Sequence, residues 1–94
     1  MQHSEDLDRA FGALADPTRR AMLTKLGHGD TCTVSELAEP FDMSLPAAMK
    51  HIAVLENAGL VLREKTGRTE HCRFNPKPMR EAMDWLEQTQ KFWE

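Results

Sequence analysis

Two groups of reactive side chains stand out in this chain: cations between residues 44 and 77, and a few thiols and imidazoles at wider spacing. Lys50, Arg63, Lys65, Arg68, Arg73 and Lys77 fall within residues 44–77, where only Glu56, Glu64 and Glu70 oppose them, a local net charge of +3. Residues 1–43 carry four cations against eight carboxylates and residues 78–94 two against four, so the whole chain is −3. A basic centre in an acidic chain describes one cationic face suited to a polyanion, not general adhesion to nucleic acid. Guanidinium and ammonium groups bond phosphates. Beside them Ser44, Lys50 and His51 can hydrogen-bond base edges, while Ala47 and Met49 can meet thymine methyls.

The remaining chemistry is sparse. Cys32 and Cys72 are too few for a disulfide framework and have no CxxC spacing. No serine, cysteine or carboxylate sits in a recognisable catalytic motif, and no glycine-rich phosphate loop appears, so the chain does not read as an enzyme and implies no cofactor. Its 94 residues, 40% hydrophobic and 29% charged, make one soluble domain over residues 1–94 with a single modest core. Apolar runs of only a few residues leave no membrane span. The start, Met-Gln-His-Ser-Glu-Asp, lacks the positive charge and apolar run of a signal peptide, which gives the cytoplasm as the default location.

The cations must be positioned by the elements around them. Residues 44–58 form the central one: Ser44 is a good N-cap, and Leu45, Ala48, Ile52 and Leu55 recur at spacings of three and four on one helical side. Pro46, Lys50, Ala53 and Asn57 fall on the opposite side, small and polar enough to enter a DNA groove. Gly59 stops the helix in the C′ position. Upstream, residues 5–15 put Leu7, Ala10, Phe11 and Leu14 on one helical face. Asp16 caps, and Pro17 opens, a second helix with Ala21, Met22, Leu23 and Leu26 as its stripe, ended by Gly27-His28-Gly29-Asp30. Thr31–Val34 reads as a brief strand. A short helix, Glu36-Leu-Ala-Glu39, opened by Ser35 with Val34, a turn at Pro40–Met43 and the capped helix have the layout of a helix-turn-helix. Leu60–Lys65 and Glu70–Asn75 are strand-like around a tip, Thr66-Gly67-Arg68-Thr69, and a last helix from Pro78 carries Met79, Met83, Leu86 and Trp93, with Ala82, Trp85 and Phe92 beside them. The expected order is α-α-(β)-α-α-β-β-α, mainly α with a small β-hairpin.

Phe11-Gly-Ala-Leu-Ala-Asp-Pro-Thr-Arg-Arg20, Val34-Ser-Glu-Leu-Ala38, Met43-Ser-Leu-Pro-Ala47 with Lys50-His51, Val54-Leu-Glu-Asn-Ala-Gly-Leu-Val61 and Gly67-Arg68 occur in the order that resembles an ArsR-type winged helix-turn-helix repressor. Trp85-Leu-Glu and Phe92-Trp93-Glu94 resemble the branch often encoded beside a START-like (AHSA-type) protein. The resemblance implies an autoregulating repressor that binds double-stranded DNA as a homodimer, two recognition helices in successive major grooves of an imperfect palindrome containing A·T pairs. It places DNA contacts at Ser44, Pro46, Ala47, Met49, Lys50 and His51, with Arg63, Lys65, Arg68 and Arg73 of the wing on backbone or minor groove. It joins the subunits through the first and last helices, here Leu7, Phe11, Met83, Trp85, Leu86, Phe92 and Trp93. Similar sequences often have serine where this chain has Met49 and arginine where it has Ala53, so the reading helix is here less polar.

Metal sensing, the family's best-known activity, implies ligands that are missing. One sensor site uses a Cys-x-Cys pair on the helix before the turn, here Ser35-Glu-Leu-Ala-Glu39. Another uses Asp and His on the last helix, and residues 76–94 hold no histidine. No metal is therefore expected. In this fold the short strand pairs with the far wing strand, which would bring Cys32 near Cys72, with His28 and His71 close in sequence. A metal- or redox-responsive repressor built on that pair stays open as an alternative, as does a winged helix used for protein–protein contact.

Overall fold

A computed structural model of the chain describes residues 4–93 apart from 28 and 30. His28, Asp30 and Glu94, which figure in the sequence reading, lie outside the described residues. The order is α1 (Ser4–Leu14), α2 (Pro17–Leu26), β1 (Cys32–Thr33), α3 (Val34–Ala38), α4 (Leu45–Asn57), β2 (Val61–Thr66), β3 (Thr69–Phe74) and α5 (Lys77–Trp93). No described helix is long and apolar enough to cross a membrane.

Local chemistry sets the boundaries. The Asp16 carboxylate accepts from the Arg19 backbone N–H at 3.1 Å, with Pro17 in the first turn of α2. Thr33 and Glu36 form a reciprocal capping box at the start of α3: the Glu36 N–H reaches Thr33 Oγ1 at 3.1 Å, and the Thr33 N–H reaches Glu36 Oε1 at 2.9 Å. The T-x-x-E signature is present in the sequence and sharpens a boundary that residue types alone left between Val34 and Ser35. Ser44 caps α4 through Ala47 N–H at 3.3 Å. At the other end Gly59, at φ 74°, lets its N–H reach Glu56 O and that of Leu60 reach Leu55 O, the paired bonds of a Schellman stop.

The sheet order is β1-β3-β2, antiparallel throughout, with Cys32 opposite Cys72 and Thr66 opposite Thr69. Thr66 and Thr69 therefore belong to the strands, and the tip is only Gly67-Arg68. Gly67, at φ 63°, takes the positive angle and Arg68 does not, as a type II′ turn requires. Asn75 leaves the strand: its N–H bonds Leu60 O, and its side-chain amide bonds Gly59 O at 2.8 Å.

Met22, Leu26, Leu37, Ala48, Ile52, Leu55, Leu60, Val61 and Cys72 fill the core under α4. Three apolar stripes differ from the expected faces. On α1 the buried residues are Ala10 and Ala13, while Leu7, Phe11 and Leu14 are only partly buried, Leu14 against the core and Phe11 against Trp85. On α2, Ala21 is exposed and Met22, Leu23 and Leu26 turn inward. On α4, Leu45 is not core but 48% exposed, because the first turn of the helix overhangs the packed body.

Candidate nucleic-acid interface

The first turns of α4 and the tip of the hairpin converge on one open cleft. Leu45 and Met49 form its α4 wall, and Lys65, Arg68, Thr69 and Glu70 its wing wall. Thr33, Val34 and Ser35, at the start of α3, close its end. Pro46 and Lys50 are exposed on the same helix and Ala47 is half-buried. Lys50, Lys65 and Arg68 make no ion pair or hydrogen bond among the described residues. Two bare cations, Lys65 and Arg68, border a cleft whose helical wall is apolar, and Lys50 is exposed elsewhere on the same helix.

The structure draws three other expected contact residues into internal roles. Arg63 bonds Glu56 of α4 through Nη2 at 2.9 Å and Nε at 3.2 Å, and reaches Glu70 at 3.4 Å. The hydrogen bond to Glu56 raises the Arg63 pKa above its ordinary value. Arg73 bonds Glu64 at 2.7 Å across the hairpin. His51 turns toward the α1–α2 corner, where Arg19 Nη1 lies 3.2 Å and Asp16 Oδ2 3.9 Å from its Nδ1. Arginine has no acceptor, so Nδ1 accepts and the ring proton sits on Nε2. Arg19 also donates to Ala13 O at 2.7 Å and Gly12 O at 3.1 Å, tying the end of α1 to α4. The backbone hydrogen bond from Arg19, then the charge of its guanidinium, hold the Asp16 carboxyl below the usual range. Arg20 donates to Leu14 O at 2.7 Å. Ser44 is exposed at the start of α4, with its oxygen engaged as a cap.

Leu45, Thr69 and the start of α3 are the cleft residues that sequence periodicity missed. A period assigns a side to a residue but does not say where the body beneath that side ends. The T-x-x-E box was the one available signal, since it fixes where α3 begins.

Cys32 and Cys72 face each other across β1 and β3, as the fold resemblance implied, and both are free and buried in the core. Burial pushes the Cys72 thiol up, which disfavours the reactive thiolate. Among the described residues no three His, Cys, Asp or Glu side chains group as metal ligands.

The apolar remainder lies on α5. Phe92 and Trp93 are 88% and 82% exposed, Met83 and Leu86 about half, and only Ala82 is buried. Trp85, partly exposed, packs edge-to-face on Phe11 with ring centroids 5.9 Å apart. Leu7 is half-exposed on α1.

Comparison with known proteins supplies context for this geometry. A profile described as a helix-turn-helix domain matches residues 14–64. The chain is 42% identical over 69 residues to the HTH-type transcriptional regulator Rv2034 of Mycobacterium tuberculosis, covering 73% of this chain and 64% of that protein's length. It is 29% identical over 80 residues to the transcriptional repressor SdpR of Bacillus subtilis, covering 85% of this chain and 88% of SdpR. Among solved structures, that of the ArsR family transcriptional regulator RHA00566 superposes with a TM-score of 0.91 at 48% identity, over 98% of this chain and 94% of the other.

Proposed function

We propose, for a chain that belongs to the ArsR family of helix-turn-helix transcriptional regulators, that it binds an imperfect palindromic operator in double-stranded DNA as a homodimer and represses transcription from it. The family is one of DNA-binding regulators, not of enzymes. One observation carries the reading: Lys65 and Arg68 stay unpaired on the α4–wing cleft and Lys50 stays unpaired on α4, while Arg63 and Arg73 are neutralised nearby. Ser44, Pro46, Ala47, Met49 and Lys50 enter the major groove, and Lys65 and Arg68 hold the backbone or minor groove. His51, Arg63 and Arg73 act one step behind, fixing α4 and the wing in position.

The exposed stripe of α5 supports the dimer. Met83, Leu86, Phe92 and Trp93, with Leu7 of α1, leave apolar surface that a second copy would cover, and Trp85 packs on Phe11 between the two helices. Sedimentation at micromolar concentration should show a dimer; a clean monomer near 10.7 kDa would sink that part. DNA binding is tested by mobility shift on the protein's own upstream DNA at two salt concentrations. Repressor binding weakens steeply with salt. Absence of binding at low salt would favour the protein-interaction alternative. The burial of Cys32 and Cys72 supports a packing role over thiol-based sensing, so operator release is expected to need no metal.

A further inference from the structure

Phosphate binding makes no use of the most unusual wall of the cleft. Leu45 and Met49 stand four residues apart on α4, hence side by side, and are 48% and 40% exposed. They face the same cleft as Lys65 and Arg68, the cations that would hold a strand's phosphates. The polar groups that line the cleft lie on its other walls. Ser44 Oγ accepts from Ala47 N–H and keeps its O–H as a donor, and His51 is held by Arg19. Thr33 Oγ1 caps Glu36, and Glu70 is bonded to Arg63. A base edge brought against the α4 wall therefore meets carbon and sulfur. In the major groove the one apolar feature of a base edge is the pyrimidine C5-methyl group; thymine has it and unmodified cytosine does not.

We propose that Leu45 and Met49 form an apolar step that reads a pyrimidine C5-methyl group. The position opposite them in each half-site is specified by that methyl and not by the hydrogen-bonding pattern of an A·T pair. Thymine and 5-methylcytosine are both ligands of the step, and uracil and cytosine are not. The proposal rests on α4 being the helix that enters the groove. Burying one methyl is worth about fourfold in affinity per half-site, and so roughly fifteenfold for an operator with two.

The test begins with duplexes that the protein enriches from a random-sequence pool. At each pyrimidine of a half-site the duplex is remade with thymine or uracil opposite adenine, and with cytosine or 5-methylcytosine opposite guanine. Affinities are read by fluorescence anisotropy at one salt concentration. One position per half-site should lose about fourfold on replacing thymine by uracil and regain a similar factor on replacing cytosine by 5-methylcytosine. Met49→Ser, and independently Leu45→Ser, should abolish both differences at that position while leaving the salt dependence unchanged. Equal binding of thymine and uracil duplexes at every position would overturn the proposal. So would equal binding of cytosine and 5-methylcytosine, or differences that survive in both variants. If no duplex is enriched and none binds at low salt, the DNA-binding reading itself falls, and this proposal with it.

Discussion

The root and the tip of the hairpin carry the same residue types put to different uses. At the root, Arg63 and Arg73 each reach a carboxylate diagonally across the strands, Glu70 and Glu64, and Arg63 also clasps Glu56 of α4. At the tip, Lys65 sits directly opposite Glu70 yet makes no ion pair with it, because that carboxylate has turned to Arg63. Arg68 occupies the turn itself. Arg63 fastens the wing to α4, Arg73 ties the two wing strands together, and the tip cations carry no such bond among the described residues. A cationic residue is thus assigned to structure or to binding by what its neighbours have already claimed.

The largest test of that contrast is the double variant Lys65→Ala/Arg68→Ala. Each lost phosphate contact should cost about 1 kcal/mol of DNA affinity near 0.1 M salt and lower the salt slope by about one. Affinity should fall by about 2 kcal/mol per subunit for all sequences, read by titration at several salt concentrations, with the melting temperature unchanged. Arg63→Ala should show the reverse: a stability loss of about 1 kcal/mol by denaturant titration, modest because water reaches Glu56, and an unchanged salt slope. If Arg63→Ala lowers the salt slope as Arg68→Ala does, the distinction between root and tip fails.

Much of this was legible in the sequence. The element order, the Asp16 and Ser44 caps, the Gly59 stop and the presence of a glycine-tipped hairpin all follow from residue types and spacing. The facing of Cys32 and Cys72 followed from the fold resemblance. What escaped was the choice among partners. Register alone left Glu70 to Lys65 or Arg63, and strand twist and the nearby Glu56 decide that choice in three dimensions. His51 escaped for a related reason, since its partner Arg19 lies 32 positions away. Leu45 escaped because a helical period runs on past the edge of the core.

Two smaller effects refine the contrast. Arg73→Ala breaks a pair whose side chains are both more than half exposed, and should change stability by less than about 0.5 kcal/mol in the same titration. Asp16→Asn keeps an effective cap and should change little at neutral pH. The Asp16 carboxyl is held below its unfolded value, so its contribution is present above about pH 4 and is lost as pH falls through the folded value. The variant should therefore unfold over a shallower acid limb than the parent, as followed by circular dichroism.

β1 spans two residues and pairs only with His71 and Cys72, whereas β2 and β3 run on together to Thr66 and Thr69. The wing is in effect a cantilever, clamped as three strands at its root and continuing as a two-stranded ribbon beyond His71. Bending stiffness falls abruptly where the third strand ends. Lys65 and Arg68 ride on the two-stranded length, which in the proposed complex would let them follow a groove that widens or narrows with local sequence. The clamped root, braced by Arg63, keeps that deflection from tilting α4.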